Sequence, residues 1–214
     1  LLGGKVIELD TSTYQFQLTA KQVEKAITTK TKAIILCSPN NPTGTSIPTQ
    51  EFKKITTLIK KYQFWAISDE IYADLTYDNQ NKVSLCEFPK IKNRSIVLSG
   101  FSKSHAMTGW RIGYIYGGED IVSRALKIHQ YSALCAPIAS QYAALSALQH
   151  GNSVTQEMKQ SYIIRKNLCV KRFNEMNLKM PLPTGAFYCF PNITSTGLSD
   201  EAFAIELLKK EKVA

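Results

Sequence analysis

The chain has 214 residues, 44% hydrophobic and 20% charged, which fits a soluble globular protein with one large domain or one domain and part of another. Its net charge of +9 comes from 26 basic and 17 acidic residues, but the basic residues are scattered. The tightest pairs, Lys53-Lys54, Lys60-Lys61 and Lys209-Lys210, lie on helix-like stretches, so neither a nucleic-acid partner nor a membrane is expected, while anionic small molecules are.

Lys5–Leu9 is a short strand candidate, followed by a polar loop over 10–18. Thr19, with Gln22 three residues on, forms a capping box for a helix reaching about Thr28. Lys32–Cys37 is apolar without alternation, the pattern of a strand in a parallel sheet covered on both sides. Two prolines, two asparagines and a glycine within Ser38–Gly44 specify a rigid turn. A helix over 48–62 carries Phe52, Ile55, Leu58 and Ile59 on one stripe. Phe64–Ser68 is a second buried strand and ends in Asp69-Glu70-Ile71-Tyr72. After another polar loop, a strand over Ser95–Leu98 empties into a hydroxyl-rich loop holding Lys103, and a strand over Arg111–Tyr116 follows. Helices are predicted over 119–131, 138–149 and 153–176, a strand with an aromatic stripe over Gly185–Phe190, and a last helix over 201–211 capped by Ser199 or Asp200.

Strands alternating with helices predict an α/β three-layer sandwich with a mostly parallel sheet. A boundary near residue 165 divides a large domain over 1–165 from the start of a small α+β C-terminal domain over 166–214. The five cysteines, Cys37, Cys86, Cys135, Cys169 and Cys189, are odd in number and contain no Cys-x-x-Cys. Free thiols in a reducing, cytoplasmic compartment fit this pattern, with no disulfide framework and no metal site. The chain opens on Leu1-Leu2-Gly3-Gly4 and stops on Val213-Ala214, so a longer parent protein is expected.

In a parallel sheet, ligands bind beyond the carboxyl ends of the strands. Asn41, Asp69 and Lys103 each stand just past a predicted strand and are expected to face one crevice. Lysine is costly to bury unless compensated, and one held there with a lowered pKa can act as an amine nucleophile toward a carbonyl. Each neighbour also has a plainer reading. Asp69 can be a helix N-cap, Asn41 a turn residue, Tyr72 packing, Ser102 a turn hydroxyl and Arg111 a surface strand residue; Met107 and Trp110 read as core, and His105 as a loop residue.

Four stretches carry a resemblance: Asn40-Asn41-Pro42-Thr43-Gly44, Ser68-Asp69-Glu70-Ile71-Tyr72, Ser99-Gly100-Phe101-Ser102-Lys103 and Met107-Thr108-Gly109-Trp110-Arg111-Ile112-Gly113. In order and spacing they resemble the pyridoxal-phosphate-dependent aminotransferases of fold type I, class I/II. Gly185-Ala186-Phe187-Tyr188 resembles the first strand of that family's small domain. The resemblance implies a pyridoxal 5'-phosphate cofactor with Lys103 as its Schiff-base lysine and catalytic residue. It implies Asp69 at the pyridinium nitrogen, Tyr72 and Asn41 at the ring oxygen, and Ser99, Ser102 and Arg111 at the phosphate. Asn41 is also implied at the substrate carboxylate. The implied reaction transfers an amino group from an L-amino acid to a 2-oxo acid, in a homodimer. A carbon–sulfur β-lyase on the same fold and a non-catalytic cofactor-binding regulatory domain are the competing readings. The family's earlier glycine-rich phosphate loop and later carboxylate-binding arginine have no counterpart here, since Arg94, Arg124, Arg165 and Arg172 stand in other contexts.

Overall fold

A computed structural model describes residues 3–78 and 82–213. Leu1, Leu2 and Ala214 at the ends, and the middle of the polar loop after Tyr72, lie outside the described residues. Four strands form one sheet in the order β1 (Ala33–Cys37), β2 (Trp65–Asp69), β3 (Ser95–Gly100) and β4 (Gly113–Gly117). The β1–β2 and β2–β3 pairs are parallel, and β3–β4 is antiparallel. Parallel neighbours need a long crossover, which α2 (Thr49–Tyr62) supplies between β1 and β2. Between β3 and β4 runs only the lysine loop with a single 3-10 turn, so the chain comes back alongside β3 in the opposite sense.

The capping box forms at the start of α1 (Ala20–Ala26): the Thr19 hydroxyl accepts from the Gln22 N–H, and the Gln22 side-chain Oε1 accepts from the Thr19 N–H at 3.0 Å. The predicted stripe of α2 is buried, with Phe52, Ile55 and Ile59 at 1% exposure or less, and it packs over Leu36, Ala66 and Val97. Phe88 closes this core by stacking on Phe52 at 5.9 Å. Three further helices follow β4: α3 (Glu119–Ser132), α4 (Ile138–His150) and α5 (Asn152–Glu175). The last, α6 (Asp200–Glu211), is capped by the hydroxyl of Ser199, one of the two residues expected there.

Several expectations are corrected. Residues 5–9 form no strand, and Val6 and Ile7 are exposed. Among the described residues, no neighbouring strand takes the backbone groups of this stretch. Arg111 precedes β4 instead of opening it and adopts a left-handed backbone at φ 52°. Trp110 is 47% exposed, not core, whereas Met107 is buried. The sheet is open: Ile35 of β1 stands 75% exposed, because the α2 core covers the opposite face. Residues 185–190 form no strand beyond one bridge between Gly185 and Thr76. Their backbone donors go to two different loops: Gly185 N–H bonds the Gly44 carbonyl and Ala186 N–H bonds the Leu75 carbonyl. That division leaves no single ladder to extend.

Candidate active site

The register places Cys37 beside Asp69, and Asp69 beside Leu98. The loops leaving β1, β2 and β3 therefore emerge at one edge of the sheet, where crevices form in open parallel sheets. The first is the proline turn. Asn40 N–H bonds the Thr45 carbonyl at 2.8 Å, Gly44 N–H bonds the Asn40 carbonyl at 2.9 Å, and the Thr43 hydroxyl bonds the Asn40 side chain at 2.9 Å. Those bonds leave Asn41 exposed at the tip, its main-chain N–H close to Cys37, whose thiol donates to the Pro39 carbonyl at 3.5 Å. Burial, opposed by that N–H and reinforced by the Asp69 charge, pushes the Cys37 thiol above its ordinary range.

At the end of β2, Asp69 is half-buried and accepts from the Ile71 N–H at 3.1 Å through one carboxylate oxygen. It makes no ion pair among the described residues. One turn on, Tyr72 is 4% exposed and hydrogen-bonds the Tyr188 hydroxyl. Burial first, and Tyr188 second, hold the Tyr72 phenol well above the ordinary tyrosine range.

Lys103 sits in a tight turn after β3 and is half-buried. His105 and Met107 N–H groups both bond the Phe101 carbonyl, and the Thr108 hydroxyl bonds the Ser102 carbonyl at 2.9 Å. From outside, Thr155 in the first turn of α5 donates its hydroxyl to the Ser104 carbonyl at 2.9 Å, and Ser104 pairs with His105 Nδ1 at 2.8 Å. His105 is thus part of the clamp on the loop. Among the described residues Lys103 makes no ion pair, and its Nζ lies 5.7 Å from the centre of the Phe187 ring. Arg111 spends one guanidinium nitrogen on the Thr108 carbonyl and has no carboxylate partner among the described residues.

Asn41, Asp69, Tyr72, Ser102 and Lys103 share the β1–β3 edge, and Arg111 hangs from the same loop through Thr108. Ser99 points elsewhere: its hydroxyl bonds the Glu70 carbonyl at 3.3 Å, and it lines a separate cleft with Glu70, Val97 and Tyr114. The sequence reading did not assign Phe187 and Tyr188 to the site. Their segment runs over the edge like a roof. Thr184 and Gly185 N–H groups bond the Gly44 carbonyl, and Tyr77 N–H bonds the Thr184 carbonyl at 2.8 Å. Phe187 and Tyr188 pack on Tyr72 with ring centres 5.4 and 5.6 Å away. The adjacent aromatics after Gly185-Ala186 were the available signal, but they resembled an ordinary strand stripe.

Gly44 makes the close approach possible. Its φ is 71°, and a Cβ there would lie 2.7 Å from the Tyr188 carbonyl oxygen.

The donor set favours an anion bearing a carbonyl. Among the described residues, one amine and one guanidinium lack carboxylate partners, and one carboxylate is spent only on a backbone N–H. No helix among the described residues is long and apolar enough to cross a membrane, and no metal-holding cluster is found among them.

The sequence matches the family Aminotransferase class I and II over residues 1–214. YugH of Bacillus subtilis, an aminotransferase by name, is 46% identical over 215 residues, which cover all of this chain and 55% of YugH. Aromatic-amino-acid aminotransferase 2 of Thermococcus litoralis is 38% identical over 216 residues, all of this chain and 56% of the relative. The crystal structure of an aromatic aminotransferase from Pyrococcus horikoshii OT3 superposes with a TM-score of 0.93 at 37% identity, over 99% of this chain and 58% of that one. The chain spans about half the length of the curated relatives it matches. With an α/β edge of this kind and similarity along its whole length, the chain belongs to the class I and II aminotransferase family.

Proposed function

We propose that the protein containing this chain is a pyridoxal-phosphate-dependent aminotransferase that moves an amino group from an L-amino acid to a 2-oxo acid. The observation that carries the reading is Lys103: an amine without a carboxylate partner among the described residues, at the sheet edge, facing an aromatic roof. When bound, the cofactor supplies an aldehyde that condenses with amines and a protonated ring that accepts electrons.

The chain's residues take the following parts. Lys103 Nζ is the attachment amine and, once free, would take the proton from the substrate α-carbon and hand it on to the cofactor. The Asp69 carboxylate keeps the ring nitrogen protonated, because an adjacent negative charge favours the charged form. The Tyr72 hydroxyl and the Asn41 amide donate to the ring oxygen, and Asn41 also meets the substrate carboxylate. Ser102 and Arg111 hold the phosphate, the guanidinium fork suiting two oxygens at once. For Ser99 the same role requires its hydroxyl to turn away from the Glu70 carbonyl. Tyr188 is added as the partner that orients the Tyr72 hydroxyl.

A division into a cofactor-binding part over 1–165 and the start of a smaller part over 166–214, a cytoplasmic location and a homodimer complete the reading. Apolar side chains along α3 and the loop after it support the dimer, Ile128 at 73% and Tyr131 at 96% exposure among them.

The test uses the full-length protein. Borohydride reduction of the loaded enzyme followed by peptide mapping is expected to fix the cofactor to Lys103. Lys103→Ala is expected to lower amino transfer to 2-oxoglutarate by at least ~10²–10⁴-fold across a panel of amino donors. A label on any other lysine, or a fully active Lys103→Ala, overturns the assignment.

A further inference from the structure

The far half of α5 holds an arrangement that amino transfer does not use. Tyr162, Lys166 and Cys169 follow the i, i+4, i+7 spacing and lie on one stripe of α5. That stripe faces the roof segment. The Tyr162 ring lies 5.4 Å from the Phe187 ring. Lys166 Nζ lies 5.3 Å from the Tyr77 ring, and the Tyr77 hydroxyl bonds the Ala186 carbonyl. Cys169 continues the series and lies close enough to Cys189, two residues beyond Phe187, to perturb its thiol. Past Cys189 the chain is tied back by the Asn192 N–H, which bonds the Lys179 carbonyl at 2.7 Å. The two thiols are therefore bracketed on both sides by fixed contacts, and both are half-buried, within reach of a small reagent.

We propose that Cys169 and Cys189 form a redox-responsive dithiol whose disulfide latches α5 to the segment bearing Phe187 and Tyr188. The oxidant class is a low-molecular-weight disulfide such as oxidised glutathione. Burial, with Cys169 beside it, pushes the Cys189 thiol up to about 11, which makes Cys189 the poorer first nucleophile. The Cys169 thiolate attacks one reagent sulfur, the reagent S–S bond breaks, and one small thiolate leaves and takes up a proton. Cys189 then gives up its proton, its sulfur attacks Cys169 Sγ, and the second small thiol departs. The protein loses two electrons and two thiol hydrogens, and the reagent is reduced to two thiols. The effect of the latch on turnover rests on the function proposed above, because Phe187 and Tyr188 border Lys103 and Tyr72. The disulfide itself does not.

The experiment treats the full-length holoenzyme with oxidised glutathione, then quenches, alkylates and digests it for mass mapping. The expected result is a peptide pair joined through Cys169 and Cys189, both thiols disappearing together and returning with dithiothreitol. Cys169→Ser and Cys189→Ser are expected to keep basal turnover and lose the oxidant response. Separate alkylation of the two thiols, separate glutathione adducts, or a link to another cysteine overturns the proposal. A joined peptide in a protein without amino transfer leaves the latch standing and removes the function. Amino transfer without the joined peptide does the reverse.

Discussion

Asp69 and Glu70 are consecutive carboxylates with opposite surroundings. Asp69 faces the open edge, whereas Glu70 is 4% exposed and accepts from the Leu85 N–H at 3.0 Å. Burial pushes the Glu70 carboxyl above its ordinary range, against hydrogen bonds from Ser84 and Leu85 that favour the charged form. A raised folded-state pKa means the associated stability is present below the ordinary glutamate value and is lost as pH rises through the raised one. Glu70→Gln keeps the acceptor for Leu85 and removes the ionisation. Its Tm is therefore expected to gain on the wild type as pH rises from 4 to 7, which thermal melts at stepped pH will measure. The Tyr72–Tyr188 hydroxyl pair makes a second prediction. Tyr72→Phe and Tyr188→Phe each leave a part-buried hydroxyl without its partner and are expected to cost about 1–3 kcal/mol. The double variant is expected to cost less than the sum, as a denaturant-melt cycle will reveal. The sequence marked Lys103, Asp69 and Asn41 because strand ends in one sheet converge, and Tyr72 through the family resemblance. It did not mark Tyr188, since contact across 116 residues has no local pattern to betray it.

Among the elements, α2 was legible because its apolar stripe has the helical period and meets one continuous core. The capping residues Thr19 and Ser199 were legible for the same local reason. Residues 185–190 were not, because an aromatic run is compatible with a strand and with a strap bonded to two loops. That strap is tight. A Cβ on Gly185 would lie 2.8 Å from Pro39 Cβ and 3.1 Å from the Leu75 carbonyl oxygen. Gly185→Ala is therefore expected to destabilise by roughly 1–3 kcal/mol through overpacking. Under the proposed function it also displaces Phe187 and Tyr188, so a lower denaturation midpoint should come with weaker cofactor retention in gel filtration. The direction of β4 was open in the sequence as well: an apolar strand reads the same whichever way it runs, and only the short connection decides.

At the scale of the whole molecule, the apolar surface is extensive. Ile35, Ile128, Tyr131, Leu134, Ile138 and Tyr142 are each at least 65% exposed. Large apolar side chains exposed in this number mark places where other protein packs. Under the proposed homodimer, Tyr131→Lys combined with Leu134→Lys in the full-length protein is expected to shift sedimentation from dimer toward monomer. An unchanged sedimentation coefficient would place the subunit contact elsewhere. The continuous apolar strands had suggested a sheet covered on both faces. Sequence pattern reports what a face needs, and the partner that meets the need can belong to another part of the polypeptide.

The 24 residues of α5 make a rod about 36 Å long. Thr155 near its start grips the turn that carries Lys103, and Tyr162, about 10 Å further along, bears on Phe187. Amine and aromatic cover are consequently surveyed from a single straightedge. Tilting that rod carries both together, so their separation is conserved while their height over the strand ends changes.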